Sequence, residues 1–161
     1  MWQDLIDTLD KLGEVYDNLA ALGERKRNAL VGIDMRGLSA ILDEEQLLTA
    51  KIQRLEKRRV ELLRGLSESN KNVNEQTKAT DFYKLAPVPA VTEKLIQLHE
   101  RLSKSVDRAV TVRDNNQILA QCALDAVQGQ LNKIGGATVE PTYSGKGAGV
   151  VTHQKNFDFK A

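Results

Sequence analysis

Aromatic residues are scarce in this chain, and cysteine scarcer still. Aromatics make up 4% of the sequence against 41% apolar residues, a balance that suits long amphipathic helices better than a deep globular interior. Cys122 is the single cysteine, so no internal disulfide can form, and a reducing cytoplasm is the expected location. Charge of one sign is not in excess: 23 basic and 22 acidic residues leave a net +1. Nucleic-acid binders carry a basic excess with clustered aromatics, and neither occurs, so no nucleic-acid partner is expected. Uncharged apolar runs never approach the roughly 20 residues of a membrane span, which argues against membrane insertion. The opening apolar residues are interrupted by Asp4 and Asp7, which a signal peptide would not tolerate.

Catalytic chemistry is equally thin. The two histidines, His99 and His153, lie far apart, and no Glu-x-x-His pair is present for a di-iron bundle. One cysteine makes no zinc site. His99 adjoins Leu98 on a helix flank and reads as a solvated or half-packed imidazole, while Cys122 reads as a small core or flank residue. The acidic run Asp43–Glu45 is a solvated face. "GKGAG" near the C-terminus lacks both the Lys-Ser/Thr ending and the strand-to-helix setting of a phosphate loop. No enzymatic activity and no cofactor are expected.

What the chain has is helical periodicity. Trp2, Leu5, Leu9, Leu12, Tyr16 and Leu19 alternate spacings of three and four, which puts them on one seam of a helix. Gly13 and Gly23 weaken this helix by about 1 kcal/mol each without breaking the pattern. Gly32 then reads as a stop and Asp34 as the N-cap of a second helix. The second seam is Leu38, Ile41, Leu48, Ile52, Leu55, Leu62 and Leu66, with Glu45 and Arg59 falling where apolar residues belong. So short a connection returns the second helix antiparallel to the first. Charge supports that register. Asp4, Asp7 and Asp10 are expected beside Arg58, Arg59 and Arg64, and Arg25, Lys26 and Arg27 beside Asp43, Glu44 and Glu45. Each helix also runs from an acidic start to a basic end, which suits its macrodipole.

Periodicity lapses over residues 67–91, a linker in which "DFYKL" forms a short turn, with Phe82, Tyr83 and Leu85 covering an end of the bundle. A third helix follows over 92–134, its seam being Leu95, Leu98, Leu102, Val106, Ala109, Val112, Asn116, Leu119, Ala123, Val127, Leu131 and Ile134. At roughly 65 Å against roughly 45 Å for each hairpin helix, it overhangs its partners. Asn116, polar in an apolar seam, reads as a residue that fixes register or oligomeric state. Gly135 and Gly136 supply the stop. The expected fold is therefore all-α. A hairpin over 2–66 and a longer third helix make a coiled-coil-like bundle within 1–136, and 137–161 form a flexible tail.

Two functions fit such a molecule: a structural coiled coil whose seams serve only self-assembly, or a binding protein that lends an apolar helical surface to a partner. Substrate is expected on the C-terminal half of the third helix, near Leu119, Ala123, Val127, Leu131 and Ile134, where the length mismatch leaves the seam without enough partner. An unfilled seam could also be satisfied by homo-oligomerisation.

Several segments carry a resemblance. In "LVGIDMRGLSAILDEEQLLTAKIQRLEKRRVELL", Leu30, Asp34 and Leu38 flank a short turn, and Leu55, Glu56 and Arg59 form a Leu-Glu-x-x-Arg run. "RDNNQILAQ" adds Asn115, Asn116 and Leu119, and "YSGKG" adds Tyr143 and Gly147. In this order they resemble the FlgN-type flagellar export chaperones, although the acidic residue that often follows the family's Tyr is Ser144 here. The resemblance implies a cytoplasmic chaperone of flagellar type III export. Such a chaperone binds the C-terminal helical segments of hook–filament junction (hook-associated) proteins, prevents their premature assembly, and presents them to the export gate. It also implies that Tyr143 and Gly147 contact the cytoplasmic domain of the gate, and that no nucleotide or metal takes part.

Overall fold

The structure, a computed structural model, describes residues 1–70, 72–74 and 76–135. Four helices follow in order: α1 (Trp2–Val31), α2 (Met35–Glu68), α3 (Ala79–Tyr83) and α4 (Pro89–Gly135). Among the described residues there is no strand, and the all-α bundle with one long helix is as the periodicity predicts. Pro89 occupies the first turn of α4, where its missing N–H costs nothing.

α1 is the central helix, packing against both α2 and α4. Its Leu5, Leu9, Leu12, Val15, Tyr16 and Ala20 meet Ile52, Leu62, Leu63 and Leu66 of α2 and Leu95, Leu98, Leu102, Val106 and Ala109 of α4 in one buried cluster. Each buried Leu or Ile contributes roughly 1.5–3 kcal/mol, so this cluster is the main source of stability. Phe82 and Tyr83 of α3 close its end, with the Phe82 ring 5.6 Å from Trp2. Leu85 does not join them and stays exposed. A smaller cluster of Leu22, Ala29 and Ile41 supports the other end of the hairpin.

The turn between α1 and α2 is capped as expected at Asp34, whose carboxylate accepts the Gly37 N–H at 3.0 Å. The left-handed residue, however, is Ile33 (φ 52°) and not Gly32, which stays right-handed. The Asp34 N–H reaches back to the Ala29 carbonyl at 2.9 Å, and this bond holds Ile33 in its left-handed position.

One end of the expected charge register forms: Arg25 pairs with Glu44 at 3.0 Å and Lys26 with Glu45 at 2.9 Å. The short turn at one end and Met1 lying against Gly65 at the other make α2 antiparallel to α1. The other end does not form. Asp4 pairs with the N-terminal ammonium, Asp7 accepts from Gln3, and Asp10 pairs with Arg101 of α4 at 2.8 Å. Arg59 and Arg64 turn to Glu56 and Glu68 of their own helix. α4 thus takes the acidic side of α1 that the sequence assigns to α2. Arg101 lies across Gly13 and also reaches Asp17, and Asn116 bonds to Gly23, so α4 runs parallel to α1. The macrodipole argument also fails in detail, since neither α1 nor α2 carries a basic residue in its last turn.

Candidate functional site

Gly23 sets how closely α1 and α4 approach. A Cβ there would lie 2.5 Å from Cγ1 of Val112, so only glycine admits the Val112 methyl at this depth. The Gly23 carbonyl accepts a hydrogen bond from Asn116 Nδ2 at 2.7 Å. Asn116 is 4% exposed and is the last buried residue of α4. A polar side chain held across two helices at one level fixes their register, as the sequence suggests for this position.

Beyond Asn116 the stripe that packs against α1 continues but loses its cover, Leu119 being half-buried and the stripe residues after it exposed. Residues 109, 112, 116, 119, 123, 127 and 134 fall within about 80° of one another on the helical wheel, with 131 just beside them. Leu119 is half-buried beside Val112, Asn115, Asn116 and Ile118, opposite Glu24 and Arg27 of α1, in an open groove. Ala123 is exposed, as are Val127, Leu131 and Ile134 at 55%, 56% and 84%. With Gly23 level with Asn116, the end of α1 at Val31 comes level with about residue 124, and the last two to three turns of α4 project beyond it. The five residues expected to receive substrate therefore share one apolar face, together with Leu124 on its edge. Tyr143 and Gly147 lie outside the described residues, as does His153.

Two features escape the periodicity. Val31, Ile33 and Met35 make an exposed apolar knob at the hairpin turn, Ile33 being 78% exposed. Their position in a capped turn is the only sequence sign of them. The second feature is a buried polar cluster at the opposite end. Arg59, 2% exposed, donates from Nε to Glu56 Oε2 at 2.9 Å, while Glu56 Oε1 is buried without a hydrogen-bond partner. Burial raises the Glu56 carboxyl above its usual range, and the Arg59 guanidinium opposes that shift. Burial, and then the Glu56 charge, push the Tyr16 hydroxyl up to about 12 against the pull of Arg59. Tyr83 is likewise raised to about 12, chiefly by burial. Its hydroxyl lies 3.2 Å from Nδ1 of a half-buried His99, the setting the sequence suggests for that imidazole. The cluster ties α1, α2, α3 and α4 together. Its one sequence sign is an arginine in an apolar seam.

Cys122 is exposed on the flank of this stripe. Among the described residues, no group of three or more His, Cys, Asp or Glu side chains could hold a metal ion. No helix among them is long and apolar enough to cross a membrane.

A family model described as FlgN protein matches residues 1–149. The chain belongs to the FlgN family. Membership makes this FlgN protein a flagellar export chaperone in general terms. No curated protein and no solved structure matched it. The residues that carry the family likeness have physical roles in this FlgN chain. Asp34 caps α2, Leu38 packs on the small cluster beside it, Glu56 and Arg59 form the buried ion pair, and Asn116 locks α4 to α1.

Proposed function

We propose that this protein binds the C-terminal helical segments of flagellar hook–filament junction proteins along Leu119, Ala123, Val127, Leu131 and Ile134. It keeps these clients from premature assembly in the cytoplasm and delivers them to the type III export gate without catalysing a reaction. The observation that carries this reading is the apolar stripe of α4, which is buried up to Asn116, half-buried at Leu119 and exposed from there on. An amphipathic helix laid on that stripe would be received by a surface already patterned for helix packing. A purely structural coiled coil would leave the same stripe to other copies of the chain.

Tyr143 and Gly147 serve in this proposal as the gate contact. Tyrosine loses few rotors on binding and contributes both area and a hydroxyl, which suits an anchor on a glycine-rich tether. The test is a pull-down from flagellated cells with the full chain and with a chain ending at Gly135. Junction proteins are expected with both, and the export-gate cytoplasmic domain with the full chain only. Recovery of nothing but further copies of the bait would contradict the proposal and favour self-assembly.

A further inference from the structure

The stripe ends where residues 136–161 begin, and those residues are unlike the rest of the chain. Tyr143, Phe157 and Phe159 lie among them, against only Trp2, Tyr16, Phe82 and Tyr83 in the preceding 135 positions. Val139, Val150 and Val151 add to this apolar content. We propose that this C-terminal segment is the resident occupant of the exposed α4 stripe, folding back over Leu119–Ile134 until a client displaces it.

Geometry allows it. From the end of α4 back to Leu119 is about 24 Å along the helix. Residues 136–161 span roughly 80 Å when extended, so Phe157 and Phe159 reach any point of the stripe. Gly135 at the end of α4 and Gly136 after it are the residue type that admits a reversal there. Alone the segment has no core to join, but the stripe offers a prepared apolar surface at no further ordering cost to α4. Tethering does the rest: a covalent connection of about twenty residues between α4 and Phe157 holds the two at an effective concentration of about a millimolar. A contact with an intrinsic dissociation constant near that value is therefore about half closed. Such a cover is strong enough to blunt self-association through the stripe and weak enough to give way to a client of micromolar affinity. The proposal stands on the uncovered stripe and on the composition of the segment, so it holds or fails apart from the identity of the client.

Cys122 makes the test direct, being the single cysteine and exposed beside the stripe. A nitroxide is attached to Cys122 in the full-length, isotope-labelled chain, and the amide signals of Val150, Val151, Phe157 and Phe159 are measured. The control is the same chain carrying Val127→Asp and Leu131→Asp, in which a segment without a docking surface still passes near the spin label by diffusion. Attenuation at least about twofold greater in the native chain, and lost in Phe157→Ser/Phe159→Ser, is the expected result. Equal attenuation in the native chain and the control overturns the proposal. A sample mixing nitroxide-bearing unlabelled chain with isotope-labelled chain separates the remaining occupant. Attenuation there as strong as in the single chain places a second copy on the stripe, and also overturns it.

Discussion

Ile33 carries an aliphatic, β-branched side chain in a left-handed conformation that ordinarily falls to glycine. The residue is mostly exposed, so little burial is lost when it is replaced. Ile33→Gly should therefore raise stability by about 1 kcal/mol, the left-handed cost relieved less the added freedom of the unfolded chain. Urea denaturation measures this, and a loss of stability would mean that Ile33 packs against something. The opposite sign is expected at Gly23. Helix propensity alone would make Gly23→Ala stabilising by about 1 kcal/mol. The Val112 methyl lies 2.5 Å from the added Cβ, and a β-branched side chain on a helix has little freedom to turn away. Overpacking of this kind costs about 1–3 kcal/mol, so a net loss near 1 kcal/mol is expected by the same measurement. A gain would show that α1 and α4 are not in close contact there. Both positions mark what local pattern cannot convey. The sequence shows a glycine at 23 and a glycine one place before the left-handed residue, but not which backbone approaches which.

Among the helices, the seams were legible because a spacing of three and four is a property of each helix alone. Leu5, Leu9 and Leu12 are buried, and so are Ile52, Leu62 and Leu66, where the spacing puts them. Asp34 was legible for the same reason, since a cap bonds to its own helix. Partner choice was not. Asp10 meets Arg101, a pairing across 91 positions that no short-range pattern contains, and so the acidic face of α1 was assigned to α2. The cluster of Tyr16, Glu56, Arg59 and Tyr83 was visible only as one misplaced charge, because its burial depends on α3 and α4 closing over it. It gives the bundle an alkaline limit. A tyrosine whose folded pKa lies above its unfolded value stabilises the fold fully below the unfolded pKa, and that contribution is lost as pH rises through the folded one. For Tyr16 and Tyr83 the window runs from pH 10.0 to about 12. Helix content by circular dichroism should fall across that window, with tyrosinate absorbance appearing in the same transition. Full tyrosinate absorbance near pH 10 with the helices intact would contradict the burial of these hydroxyls.

At the scale of the whole molecule, one helix has two environments. Up to Asn116 the stripe of α4 is core, and past the half-buried Leu119 the same stripe is surface. The overhang was legible from helix lengths, and the five stripe residues from their spacing. The apolar knob at Val31, Ile33 and Met35 was not, because turns carry no period. This division of α4 makes a stability change separable from a binding change, which an ordinary core would not permit. Val127 and Leu131 are exposed among the described residues, and a cover closed about half the time adds only about 0.4 kcal/mol, so Val127→Asp with Leu131→Asp should leave stability within about 0.5 kcal/mol. Against a bound helix the same carboxylates would be buried without partners, a loss of about 2 kcal/mol or more, or roughly 30-fold in affinity. The decisive measurement is calorimetric titration of a purified junction-protein C-terminal segment into the wild-type chaperone and this double variant, with melting temperatures taken on the same samples. The account predicts an unchanged melting temperature and binding weakened by about 30-fold or more. Wild-type affinity in the double variant would place the client elsewhere and contradict the account.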